Sequence, residues 1–278
     1  MTMKFTVLGS GSTGNAVLIS SETTNVLVDA GLSAREILRR LAVVGVDASQ
    51  LDGVLVTHEH GDHVGGLRVL LGTVTCPVFI SGATEDAYYD TNAGGQNGNS
   101  ESSKRQAALN NRVSQIASNR DFRIGDIDFL PFSVPHDAVD NFGFVAKKDG
   151  VKIATLMDFG HISDSVKLAI RDCDAVVIES NHSIDMLRTC HVYTWDLKQR
   201  ILSRQGHLSN EDLSDWLQTD FDGKARNIVL AHLSQRANDP HLALIMAETA
   251  LNMRAPLFKT DTKISISHYK QPTEWIVF

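Results

Sequence analysis

Cysteine is scarce in this chain, three among 278 residues. Cys76, Cys173 and Cys190 match no zinc-thiolate spacing, and three thiols cannot all pair, so a disulfide framework is excluded. A reducing compartment, the cytoplasm, is the simplest setting. No apolar run approaches membrane-spanning length, and residues 1–8 are too short in apolar length for a secretory signal; no membrane partner is expected. Positive charge is not in excess either. The formal net charge is -7, so nucleic acid would need a local basic patch rather than help from the overall field. Long linkers are also missing. At 42% apolar the chain can bury one large core, and a single domain over residues 1–278 is expected.

Strand-like and helix-like segments alternate along it. Residues 5–8 read as a strand, Gly9-Ser10-Gly11-Ser12-Thr13-Gly14-Asn15 as a tight turn, and 16–19 and 25–28 as further strands. Ser33 and Glu36 have capping-box spacing. The helix they open carries Ile37, Leu38, Leu41 and Val44 on one face. Strands near 53–56 and 77–80 follow. Residues 83–121 read as an exposed loop flanked by short helices, a polar insertion near 90–120 whose stretch Asn92–Ser100 has no apolar period. Strands return at 127–134, 142–147 and 151–157, with Lys148-Asp149-Gly150 as a hairpin turn. A helix (162–170), a strand (175–178), a helical block (184–217), a strand (227–230), a closing helix (241–251) and a last strand ending near 264–266 complete the chain. Inspection finds no internal repeat. Two strand-rich stretches, each followed by helices, allow two sheets face to face with helices outside.

The chemistry is concentrated in Thr57-His58-Glu59-His60-Gly61-Asp62-His63, directly after the apolar run Gly53-Val54-Leu55-Val56. Three imidazoles and a carboxylate within six residues can offer lone pairs at neutral pH without deprotonating a thiol. His58 and His60, two apart, point to one side in extended geometry. Four ligands this close cannot all reach one ion unstrained, so the spacing suits two adjacent ions. His136, Asp158 and His232 each end an apolar strand, where loops carry function.

The T-H-x-H-x-D-H pattern after a hydrophobic strand resembles the signature of the metallo-β-lactamase superfamily. The resemblance implies an α/β fold, the four-layer αββα metallo-β-lactamase sandwich. It implies that His58, His60, His136 and Asp158 hold one ion and that Asp62, His63, His232 and a bridging Asp158 hold the other. Asp29, closing the strand 25–28, matches the buried buttress that orients a ligand imidazole without touching metal. Zinc suits the imidazoles; manganese and iron are compatible with the set. Two ions about 3.5–4 Å apart would supply a bridging hydroxide and hold a phosphoryl or carbonyl oxygen.

The second half of the chain narrows the substrate. Glu179-Ser180-Asn181-His182, Trp195-Asp196-Leu197-Lys198-Gln199-Arg200-Ile201, Gly206-His207-Leu208-Ser209-Asn210 and Ala231-His232-Leu233-Ser234, with Gly9-Ser10-Gly11-Ser12 and Asp29-Ala30-Gly31-Leu32-Ser33, resemble the YycJ/WalJ-type branch. That branch is associated with 5′-end exonuclease activity on DNA and a proposed role in repair. Thr194 stands where a proline is expected before Trp195, and Asp140-Asn141 where Glu-Pro is expected. The resemblance implies a metal-dependent phosphodiesterase with DNA as partner. Asp62, His207 and Glu179 would act in catalysis, His207 donating to the departing oxygen and Glu179 orienting it. Lys198, Arg200 and Arg204 could hold phosphates beside a base stacked on Trp195, although an ordinary solvated helix face has the same composition. Ser10, Ser12 and Asn15 could bind a terminal phosphate or simply form a turn. His182 could line the cleft or cap a helix, and Ser234 follows the last ligand. Hydrolysis of a small cyclic or nucleotide phosphodiester or other ester is the alternative. A β-lactamase, or a regulator that binds nucleic acid without catalysis, fits the second half less well.

Overall fold

The computed structural model describes residues 3–90, 98–255 and 259–278. Strands β1 (Lys4–Gly9), β2 (Ala16–Ser20) and β3 (Asn25–Val28) form an antiparallel meander. Strands β4 (Gly53–Leu55), β5 (Val78–Ile80) and β6 (Val113–Gln115) add in parallel beyond β3. A second antiparallel run, β7 (Phe122–Ile124), β8 (Ile127–Ser133), β9 (Phe142–Lys148) and β10 (Val151–Leu156), is followed by parallel β11 (Ala175–Glu179), β12 (Asn227–Ala231) and β13 (Lys263–Ile266). The short strand β14 (Ile276–Val277) returns to pair with β1. Each sheet has seven strands, in the orders β14-β1-β2-β3-β4-β5-β6 and β13-β12-β11-β10-β9-β8-β7.

Side-chain alternation along each strand makes the layers. Val17 and Ile19 of β2 pack into the central layer with Phe129, Phe144, Val177 and Val229 of the second sheet. Their neighbours Ala16 and Leu18 turn outward. There they join Ile37 and Leu41 of α1 (Ala34–Val43), beyond which α2 (Gly61–Val64) and α3 (Leu67–Leu70) complete the cover near the site. Two further helices, α4 (Gly82–Tyr89) and α5 (Gly98–Leu109), lie between β5 and β6. The second sheet repeats the arrangement. Val176 and Ile178 of β11 face outward onto α6 (Asp164–Ile170), while α7 (Ile184–Thr189), α8 (Trp195–Ile201), α9 (Asn210–Thr219) and α10 (Pro240–Asn252) fill out this half. The result is the αββα sandwich. No helix among the described residues is long and apolar enough to cross a membrane.

Three details depart from the sequence reading. The block 184–217 is three helices, because Ser183, Thr194 and Ser209 each accept a hydrogen bond from a backbone N–H three residues on and so start a new helix. The capping box of α1 is half formed. Ser33 accepts from the Glu36 N–H at 3.3 Å, but the Glu36 carboxylate turns to the guanidinium groups of Arg39 and Arg40, since charge-assisted bonds outcompete a neutral backbone donor. Short helices flank the polar run as expected, α4 and α5, but the stretch also holds the sheet strand β6; most of the polar run Asn92–Ser100 lies outside the described residues.

Candidate metal centre

Ligands in open α/β sheets collect at the carboxyl ends of the strands, and the expected residues do so here. Asp29 follows β3, His58 and His60 follow β4, Asp158 follows β10, and His232 follows β12. Asp29, Asp158 and His232 have left-handed backbones, with φ of 63°, 57° and 54°. That conformation costs about 1–3 kcal/mol at a non-glycine residue and persists where packing enforces it. One enforcing contact is the close pass of Gly31 under α2, where a Cβ would meet the Asp62 carbonyl.

All seven expected ligands come together. His58, His60, His136 and Asp158 form one group and Asp62, His63, Asp158 and His232 another, with donor atoms within 4.8 Å of one another in each. Asp158 belongs to both. Its Oδ2 lies 2.8 Å from His63 Nε2, 3.2 Å from His58 Nε2 and 3.9 Å from His136 Nε2. Asp62 Oδ2 lies 3.3 Å from His232 Nε2. His58 Nε2 and His232 Nε2 are buried and face the Asp158 and Asp62 carboxylates without well-formed hydrogen bonds. Buried imidazole nitrogens gathered round shared carboxylates fit a cation.

The supports are as well ordered. Asp29 is fully buried, and its Oδ2 accepts from His63 Nδ1 at 2.7 Å. The Thr57 hydroxyl sits 3.0 Å from both Asp29 oxygens and 2.9 Å from His58 Nδ1. One carboxylate therefore orients an imidazole in each ligand group. Glu179, also fully buried, lies 2.9 Å from His207 Nδ1 and 2.7 Å from His232 Nδ1, and accepts from the Phe159 and Leu208 N–H groups. The sequence pointed to its contact with His207 but not to the one with His232. Thr57 and Asn141, whose Nδ2 donates to the Asp158 carbonyl at 2.6 Å, were also missed. Thr57 was visible only as the first letter of the motif, and Asn141 only as a departure from it.

The carboxylates draw protons onto some of these imidazoles. Burial disfavours charge on His63 and His232, yet Asp29 and Asp158 outweigh it at His63, and Asp158 foremost at His232, so both stand well above the ordinary histidine range. Burial is likewise overcome at His207, which Glu179 and Asp158 push up to about 9. His58 goes the other way, to about 4, through burial and the charge of His63. Burial would raise Asp62 and Glu179; hydrogen bonds and charge from His232 and His63 at the first, and from His207 and His232 at the second, hold each at about 2.

A cleft of about 330 Å³ opens over the centre, lined by Ser12, His60, Asp62, His136, Arg200 and His207 among others. The expected substrate contacts divide around it. Arg200 reaches the cleft wall from α8 and pairs with Asp137. Trp195 on the same helix is 67% exposed. Lys198 turns back to the Arg188 carbonyl at 2.7 Å, off the cleft. Ser10, Asn15, His182 and Ser234 are all buried and lie behind the cleft lining. Ser10 and Asn15 bond to each other, and Ser234 accepts from the Arg236 and Ala237 N–H groups. Small polar residues beside a turn look the same in sequence whether they face inward or outward.

The sequence profile of the beta-lactamase superfamily domain matches residues 24–233. The exodeoxyribonuclease WalJ of Streptococcus pneumoniae is 34% identical over 86% of this chain and 85% of its own length. The exodeoxyribonuclease YycJ of Bacillus anthracis is 34% identical over 99% of this chain and 98% of its own. The crystal structure of the metallo-beta-lactamase fold protein YhfI from Bacillus subtilis superposes with a TM-score of 0.69 at 17% identity, covering 98% of this chain and 99% of that one. With the family profile over residues 24–233 and a 34% identical relative along 99% of its length, the chain belongs to the metallo-β-lactamase superfamily, in the branch of the WalJ and YycJ proteins.

Proposed function

We propose that this metal-dependent hydrolase is a two-ion phosphodiesterase that removes nucleotides from the 5′ end of DNA. The observation that carries the reading is His207. It stands at the rim of the ligand cluster, 3.3 Å from Asp158 Oδ1 and held by Glu179. His58, His60, His136 and Asp158 would hold one ion, and Asp62, His63 and His232 with the shared Asp158 the other. Two such divalent ions, zinc or manganese by their donor set, lower the pKa of water toward neutrality and stabilise charge on a phosphoryl oxygen.

The chain's own groups do the rest. His207, held through Nδ1 by the Glu179 carboxylate at 2.9 Å, can give a proton to the departing oxygen. Glu179 keeps the ring in place from below. Arg200 brings a permanently charged guanidinium to the cleft wall, where a phosphate would compete with Asp137 for it, and the exposed ring of Trp195 offers a face for a base. The guanidinium is the local positive charge that a net charge of -7 denies globally. The named activity of WalJ and YycJ supports the same substrate class. The free cysteines Cys76, Cys173 and Cys190 fit a reducing cytoplasmic setting.

The test uses 5′-phosphorylated duplex and single-stranded DNA with zinc or manganese supplied in turn, and the Asp62→Ala variant as control. Metal-dependent release of nucleotides from the 5′ end, absent in the variant, is expected. Rapid turnover of bis(4-nitrophenyl) phosphate with no attack on either DNA would replace a DNA substrate with a small phosphodiester.

A further inference from the structure

We propose that Ser10 and Asn15 are positioning residues that set the affinity of the second cation site by tying Asp62, beside the first sheet, to His232 on the second. The inference rests on the two-ion reading above and adds a division of labour within it.

Both side chains lie in the turn between β1 and β2, and neither is available to substrate: Ser10 is 4% exposed and Asn15 is fully buried. The orientation of the Asn15 amide follows from its neighbours. The Gly11 N–H, which can only donate, lies 3.0 Å from Oδ1. The oxygen therefore faces Gly11, and Nδ2 faces His63 Nε2 at 3.0 Å and the Asp62 carbonyl at 3.3 Å. The Ser10 hydroxyl donates to Asn15 Oδ1 at 2.8 Å and accepts from the His232 N–H at 2.8 Å. The His63 Nε2 lone pair is the one a cation would take, so the chain that survives loading runs from the Asp62 carbonyl through Asn15 and Ser10 to the His232 N–H.

That chain crosses between the sheets. Asp62, in α2, follows β4 and His232 follows β12, and Ser10 holds the backbone N–H of His232 at a residue whose φ is 54°. The Asn15 backbone N–H adds a bond to the Asp62 carbonyl at 2.8 Å. Two of the three residues that only the second group contains are therefore held. The hydrogen bonds described for Ser10 and Asn15 reach none of His58, His60 and His136. A small slide of one sheet on the other would change the distance between Asp62 and His232 directly, and this buried polar bridge resists it. Its loss should weaken the second ion and spare the first.

Manganese(II) titration of metal-free protein, followed by electron paramagnetic resonance, separates the two steps. A single bound ion gives a mononuclear signal, and the second converts it to a spin-coupled pair. In Ser10→Ala and Asn15→Ala the first step should match the wild type, while the second needs about 10–100-fold more free manganese, the usual penalty for removing a support of a metal ligand. Ser20→Ala is the control. It removes a buried hydroxyl of the same sheet that bonds Asn25 at 2.8 Å, and it should leave both steps unchanged. Second steps unchanged in both Ser10→Ala and Asn15→Ala, or both steps weakening together, would overturn the proposal. Failure of the wild type itself to form a coupled pair would instead remove the two-ion reading, and this inference with it.

Discussion

Each sheet joins an antiparallel meander to parallel strands: β1, β2, β3 then β4, β5, β6 in one, and β7, β8, β9, β10 then β11, β12, β13 in the other. An aspartate follows the last meander strand in both, Asp29 after β3 and Asp158 after β10, each buried and each left-handed. Their surroundings differ. Around Asp29 stand the hydrogen-bearing groups of Thr57 and the Nδ1 edge of His63. Around Asp158 Oδ2 stand the Nε2 edges of His63, His58 and His136. The first aspartate is tied to one imidazole and a hydroxyl; the second gathers three Nε2 edges that a cation could share with it. Equivalent positions in two similar halves thus suit the roles of prop and of ligand, and the neighbouring imidazoles make the difference. The strands that follow differ in kind too. β4 ends in imidazoles, whereas β11 ends in Glu179, whose carboxylate steadies His207 and His232 from below.

Exchanging or deleting these parts tests the contrast. The largest effect is expected from Asp158→Ala. It removes the shared ligand, so metal content should fall at both positions and turnover should drop by well over about 100-fold, read by elemental analysis and a nuclease assay together. His207→Ala should come next. Loss of the proton donor should cost about 10²–10⁴-fold in kcat with metal content unchanged; an unaltered kcat would take His207 out of the mechanism. Asp29→Asn should be milder, with about 10–100-fold weaker metal binding and near-normal turnover once metal is saturating. If it proved as damaging as Asp158→Ala, the distinction between prop and ligand would be wrong.

A smaller, graded effect concerns pH. His63 and His232 hold protons well above the ordinary histidine range, and a metal-loaded centre needs their Nε2 lone pairs. Loading must therefore expel protons, and affinity should rise with pH through the neutral range by up to about tenfold per unit for each proton released. Calorimetry in two buffers of different ionisation enthalpy measures that release, and a value of zero would contradict it. The smallest effect is expected at the rim. Arg200→Glu should weaken DNA binding and flatten its salt dependence by about one phosphate contact while bis(4-nitrophenyl) phosphate turnover stays unchanged.

Much of this could be read before the structure. The cluster from Thr57 to His63 was legible because its ligands crowd into six residues after one strand. His136, Asp158 and His232 are isolated in sequence, and only their places at strand ends and the family resemblance marked them. The shared topology of the halves left no sequence repeat, since strand order depends on the pattern of apolar alternation and not on particular side chains. The loop reading near 90–120 failed at β6 because Val113–Gln115 is a short, half-buried edge strand with no alternation to show.

The residues of this chain determined by themselves which groups could ligate metal, and that an acidic, cysteine-poor protein would do it with imidazoles and carboxylates. Only the tertiary structure decided which of those groups share a cation position, which prop another, and that Ser10 and Asn15 face inward rather than toward substrate. The physical reason is that donor type is a property of one residue, whereas burial and a partner within 3 Å arise only when two sheets close on each other and bring position 15 beside 63 and position 10 beside 232.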